Sequence, residues 1–153
     1  MLDGEANLRV LWPYSLADFT GNNLSVVIRI EYLGRAILLT GDVENEGEMG
    51  MVESGTNLHA DILKVAHHGS RTSNGLPFLK KVQPRWASIS CDSEVYGHPH
   101  VEAIADLKYV MSDSVNILRT DRVGTIGFEI NRGGVRRISS LTLSGFASSP
   151  GLH

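Results

Sequence analysis

Apolar residues recur in short runs separated by polar, glycine-containing turns, a rhythm that predicts brief strands interleaved with helices. Leu8 to Trp12 reads as a strand stopped by Pro13, and Asp18 to Asn23 as a polar turn. Leu24 to Tyr32 alternates, with Val26, Ile28 and Ile30 on one side and Ser25, Val27, Arg29 and Glu31 on the other, the pattern of a half-buried strand. After a tight turn at Leu33-Gly34-Arg35, Ala36 to Leu39 is apolar throughout and is expected to be buried on both faces. Asp42 ends this run, and Glu44, Glu46 and Glu48 lead into a short helix ending near Gly55, acids in a first turn being favoured by the helix dipole.

The same rhythm continues through a strand at Ile62 to Val65, a loop at His67 to Gly75, a short helix at Pro77 to Val82 and a strand at Trp86 to Ser90. A helix at Val101 to Met111, with Ile104, Leu107, Lys108 and Met111 at helical spacing, leads to a strand at Val115 to Leu118. Gly124 to Ile130 and Val135 to Leu143 read as two strands joined at Gly133-Gly134. Residues 144–153 are rich in Ser, Gly and Pro and are expected to be a disordered tail. Strands alternating with helices predict an α/β (α+β) fold with a mixed sheet, and the lack of a repeat or linker predicts one domain over residues 1–143.

Composition narrows the class. A chain of 153 residues with 42% hydrophobic content is long enough to close one core. Cys91 is the only cysteine, which excludes an internal disulfide and a cysteine-based zinc site. No apolar run reaches the ~20 residues that span a bilayer, and acids stand near the N-terminus where a signal peptide carries positive charge. The expectation is a cytoplasmic chain, or the soluble domain of a larger, membrane-associated bacterial protein. The net charge of −3 splits unevenly: residues 1–76 hold 5 basic and 10 acidic groups, residues 77–153 hold 9 and 7. Arg119, Arg122, Arg132, Arg136 and Arg137 concentrate near the C-terminus, either as a patch for a phosphate-rich ligand or as solvated strand faces.

Three clusters carry chemistry. Thr40-Gly41-Asp42 sets a carboxylate at the mouth of a strand, where Asp also serves as a helix N-cap. His67-His68-Gly69-Ser70 follows the next strand. Adjacent histidines in extended chain point to opposite faces, so one would take a metal and the other a substrate or outer contact; the plain alternative is a surface loop. Tyr96-Gly97-His98-Pro99-His100 follows the third strand, and Pro99 favours an extended His98, placing His98 and His100 on one side; helix entry is the plain alternative. If the three strands run parallel, all three clusters meet at one sheet edge. Carboxylate and imidazole there suit Zn²⁺ or Mn²⁺. Cys91 with His98 would offer a thiol nucleophile, although a cysteine ending an apolar strand is more often packing. Phosphate-loop, nucleophile-elbow and dinucleotide-binding glycine motifs are lacking, and neither His59 nor His153 is assigned a role.

The succession Asn22-Asn23-Leu24-Ser25-Val26-Val27, Ile37-Leu38-Leu39-Thr40-Gly41-Asp42, Asp61-Ile62-Leu63-Lys64-Val65-Ala66-His67-His68-Gly69-Ser70, Ser88-Ile89-Ser90, Tyr96-Gly97-His98-Pro99-His100 and Arg119-Thr120-Asp121-Arg122-Val123-Gly124-Thr125 resembles the C-terminal half of ComEC-type metallo-β-lactamase domains. The resemblance implies half or most of an αββα sandwich. It further implies Asp42 as a metal-bridging carboxylate, one of His67 and His68 (His68 favoured) as the last histidine ligand, and His98 as a substrate or transition-state contact. Ser70 and Thr72 would be phosphate hydrogen-bond donors. The resemblance also implies a metal ion that activates water against an ester, amide or phosphodiester, with ComEC-type relatives pointing to phosphodiesters, DNA above all. The family's His-x-His-x-Asp-His motif is lacking, and Cys91 to Glu94 replaces the usual Gly and Asn. The chain is therefore expected to bind metal weakly or not at all, and to pair with a missing N-terminal half or with a second copy. The alternative is a non-catalytic, self-associating assembly module.

Overall fold

The computed structural model describes residues 4–138 apart from residues 17 and 112. β1 (Asn7–Trp12), β2 (Val27–Tyr32) and β3 (Arg35–Leu39) form an antiparallel meander, and β4 (Ile62–Lys64), β5 (Trp86–Ile89) and β6 (Ile117–Arg119) extend it in parallel. The result is a six-stranded mixed sheet in the order β1-β2-β3-β4-β5-β6. The β2–β3 turn needs only Leu33 and Gly34, both at positive φ (51° and 71°), the geometry whose twist matches the flanking strands. Parallel neighbours require crossovers, supplied by α1 (Asn45–Glu53), α2 (Leu76–Val82), the single turn α3 (Ser93–Tyr96) with α4 (Val101–Val110), while α5 (Thr120–Val123) follows β6.

α1 packs on α2 and α2 on α4, and the main core lies between them and the sheet. Leu38, Leu63, Ala87 and Ile89 from the strands meet Met51, Phe78, Leu79 and Leu107 from the helices in one buried cluster. Trp12 closes one end. It is fully buried, its Nε1 donates to Asn23 O at 2.6 Å, and a Cβ on Gly50 would fall 2.6 Å from its ring, so a glycine lets α1 settle onto the indole.

The other sheet face is different. Register places Leu8, Ile30 and Ile37 in one row and Val10, Ile28 and Leu39 in the next. Leu8 and Val10 are each 60% exposed. Over β5, Phe128 of the hairpin β7 (Gly127–Asn131) and β8 (Gly134–Ile138) packs on Trp86 with centroids 5.6 Å apart, and Ile62, Leu118 and Val135 are buried apart from the main cluster.

The mixed α/β class agrees with expectation, and several details do not. The strand expected from Leu24 begins at Val27, because Gly21–Leu24 makes a 3₁₀ turn. Ala36 to Leu39 is not buried on both faces: Ala36 and Leu38 are, but Leu39 is 37% exposed. The end of the expected strand at Leu143 and the tail 144–153 lie outside the described residues. Among the described residues the second sheet is the two-stranded β7–β8 hairpin alone. No helix there is long and apolar enough to cross a membrane.

Candidate functional site

Because β3, β4 and β5 run parallel, the segments following them emerge at one edge of the sheet. Asp42, His67, His68 and His98 line one cleft there, with Ser90, Cys91, Asp92 and Tyr96, and its volume is about 530 Å³. The three clusters picked out along the sequence thus share a single site.

Asp42 follows Gly41, whose φ of 55° favours glycine and where a Cβ would stand a tight 3.1 Å from Ser25 Cβ. The capping role that a strand-end Asp ordinarily takes is filled from elsewhere. Asn23 Oδ1 accepts from Glu44 N at 3.2 Å and Gly47 N at 2.9 Å, closing the start of α1. The Asp42 carboxylate instead stands in the cleft, 3.6 Å from His68 Nε2 and 4.0 Å from Lys64 Nζ. Burial depresses the Lys64 pKa, and the Asp42 charge works against that depression.

His67 and His68 are not extended, which corrects the expectation of an extended pair. Their φ values are 46° and 55°, and Gly69 follows at 82°, so three successive residues sit in left-handed conformation. For the two histidines, unlike Gly69, this costs on the order of 1–3 kcal/mol each and persists only where the surroundings fix it. His67 N donates to Gly41 O at 3.1 Å and Ser70 N to His67 O at 2.8 Å. A Cβ on Gly69 would lie 2.5 Å from Pro99 Cβ, so the His98-Pro99-His100 loop docks directly against the turn.

The turn sends the two rings apart. His68 Nδ1 lies 2.6 Å from Ser90 O; a carbonyl only accepts, so Nδ1 carries a hydrogen, and in the neutral ring the Nε2 lone pair then faces Asp42. Two acceptors opposed at 3.6 Å are set to share a cation, and a ring hydrogen given to a backbone carbonyl is the usual support of a metal-binding histidine. His67 Nδ1 is buried and lies 3.4 Å from Glu44 Oε1 without the alignment of a hydrogen bond. His98 and His100 meet Nδ1 to Nδ1 at 3.0 Å, one donating and one accepting, and the His98 ring centroid is 6.0 Å from that of His67. Burial lowers the His98 pKa most, followed by the neighbouring His100, His67 and His68.

Ser70 is 6% exposed and does not line the cleft; its hydroxyl is 3.0 Å from that of Thr72, which donates to Glu44 at 2.9 Å. Cys91 does line it, but burial and then its hydrogen bond to Asp121 (3.3 Å) push the thiol pKa up, which opposes a thiolate nucleophile. Arg119 pairs with Asp121 and Arg136 with Glu129, so these two cations are internally matched. Sequence reasoning missed Lys64, Glu44 and the Ser90 carbonyl, which act through partners distant in the chain.

Among the described residues no group of three or more His, Cys, Asp or Glu side chains is arranged to hold a metal ion. Asp42 and His68 fit two positions of a zinc or manganese donor set and do not complete it, since a catalytic zinc site takes about three protein ligands.

The fold and cleft define a mixed α/β domain with a carboxylate–imidazole site at its parallel edge. No protein-family model matches the chain. It is 39% identical over 125 residues to ComE operon protein 3 of Bacillus subtilis (strain 168), covering 81% of the chain and 16% of that protein. It is 37% identical over 128 residues to competence protein ComA of Neisseria gonorrhoeae, covering 82% and 18%. An uncharacterized protein of Escherichia coli (strain K12), YcaI, is 38% identical over 80 residues, covering 52% and 11%. The chain spans less than a fifth of the length of these relatives, and the matches support kinship with the competence proteins.

Proposed function

We propose that this chain carries one part of a metal-dependent phosphodiesterase site acting on DNA during competence, within a metallo-β-lactamase-type αββα sandwich completed by another segment. The observation that carries the reading is the His68 ring, held by Ser90 O through Nδ1 while Nε2 faces Asp42 at 3.6 Å. Asp42 and His68 would hold the ion, Zn²⁺ or Mn²⁺, which when bound polarises a phosphodiester and activates water. His98, whose pKa is lowered by burial and by the neighbouring histidines, offers a ring N–H to a phosphate oxygen or leaving group. His67 stays with Glu44, and Ser70 acts through Thr72 on Glu44 rather than on substrate. Kinship with proteins named for competence supports DNA as the substrate class.

The open face over β1–β3 suits either the sandwich's second sheet or a second copy of the chain. A non-catalytic, self-associating assembly module is the second reading, favoured by the two-donor set. The isolated chain should bind Zn²⁺ at micromolar affinity or weaker by calorimetry and leave DNA intact with Mn²⁺ or Zn²⁺. A segment bearing His-x-His-x-Asp-His, supplied in cis or in trans, should restore hydrolysis, and Asp42→Ala should then cost more than the roughly 100-fold typical of outer-sphere changes. Restored hydrolysis indifferent to Asp42→Ala and His68→Ala would sink the proposal.

A further inference from the structure

The strained histidine turn must be fixed by something, and the sequence distant from the cleft supplies it. Where sheet pairing of β4 runs out, the side chain of Asn74 brackets Ala66, the residue before His67. Ala66 N donates to Asn74 Oδ1 at 3.0 Å, and Asn74 Nδ2 donates to Ala66 O at 3.1 Å. Asn74 is fully buried and itself left-handed (φ 65°), a conformation that Asn tolerates better than most residues. Its backbone is gripped in turn: Asn74 N donates to Glu48 Oε1 at 2.6 Å and Gly75 N to Glu48 Oε2 at 2.8 Å. Glu48 is 1% exposed and sits on α1, the helix that follows Asp42. Asn45 N to Thr72 O (2.8 Å) and Ser73 Oγ to Val43 O (2.8 Å) tie the same two segments alongside.

A carboxylate buried this deeply is costly unless its hydrogen bonds define something. Here they link the segment bearing Asp42 to the turn bearing His68. We propose that Glu48 and Asn74 are positioning residues, which hold His67 and His68 in their left-handed turn and so fix the aim of His68 Nε2 at Asp42. The functional meaning of that aim rests on the reading of the cleft given above; the geometry does not.

The test reads the imidazole rings and needs no metal. In the 153-residue chain labelled with ¹⁵N-histidine, His68 should be a single tautomer protonated at Nδ1. Asn74→Ala should convert it to a mixture of both tautomers, while His59, at the opposite edge of the sheet, keeps its resonances. Glu48→Gln retains the shape and one acceptor; it should move the His67 and His68 signals less, in the same direction, and serves if Asn74→Ala does not fold. A folded variant of either kind with His68 still in its wild-type tautomer overturns the inference, as does an equal change at His59, which would mean general loosening. In the protein completed with the missing motif, Glu48→Gln should lower turnover by roughly 10- to 100-fold, the usual cost of removing an outer partner, with KM unchanged. If no hydrolysis can be restored at all, the hydrolase reading fails while the ring resonances still decide the positioning role.

Discussion

The two faces of the sheet are built from similar side chains and meet different surroundings. Leu38 and Leu39 are neighbours in β3, yet Leu38 is fully buried beneath the helices and Leu39 is 37% exposed on the far side. In β2 the contrast runs against polarity. Val27 and Arg29 face the buried layer at 0% and 7% exposure, while Ile28 and Ile30 belong to the open rows with Leu8 and Val10. Alternation decides which residues share a face, but the crossovers decide which face becomes the core. With α1, α2 and α4 in one layer, the isoleucine side of β2 carries no helix among the described residues.

The largest effect should come from testing that contrast directly. Leu38→Ala empties a fully enclosed position and should cost about 3 kcal/mol, whereas Leu39→Ala should cost less than about 1 kcal/mol. Urea unfolding monitored by circular dichroism measures both. Equal losses would show that something covers Leu39 in solution and that the faces are less different than their exposures indicate.

The covered layer also contains Glu48, and its charge gives a second effect of similar size. Burial raises its pKa from 4.5 to about 7, against the opposing hydrogen bonds from Gly75 and Asn74. Between those two values the folded protein holds a proton that the unfolded chain has released, so this group favours the folded state most at low pH. Its contribution falls as pH rises from about 4.5 to about 7 and is level above that. A loss on the order of 3 kcal/mol is expected across the window, and Glu48→Gln should flatten it. Unfolding free energies of both proteins at the two ends of the window provide the check; parallel profiles would assign the slope to other groups.

The convergence of Asp42, His67, His68 and His98 was legible because it depends only on strand–helix–strand order and the residues that end each strand. What was not legible depends on contacts across the chain. The Asn23 side chain relieves Asp42 of capping from about twenty residues away, and Ser90 O selects the His68 tautomer from 22 residues away. The left-handed turn at His67 and His68 contradicts local preference, and its supports, Glu48 and Asn74, look in the sequence like an ordinary helix acid and a loop polar residue. The Ser70 hydroxyl was equally illegible, since a serine beside two histidines gives no sign that it lies 3.0 Å from the hydroxyl of Thr72. α3 and α5 are single turns of four residues, too short for any periodicity to mark them.

The smallest effect on stability concerns the open face. Val10 and Leu39 stand at the two ends of one row, each opposite Ile28, and both are exposed, so charging them removes little packing. Val10→Lys with Leu39→Glu should change the unfolding free energy by less than about 0.5 kcal/mol per site. The same change should abolish association. An apolar row of this kind in water favours a partner, and the unmodified chain is expected to form a concentration-dependent dimer in light scattering, while the double variant stays monomeric. β1 is also an edge strand, so pairing through its backbone is a second route to a dimer. Dimerisation that survives the charged pair would place the contact at the β1 edge, and a clean monomer in the unmodified chain would mean that the open face needs no cover.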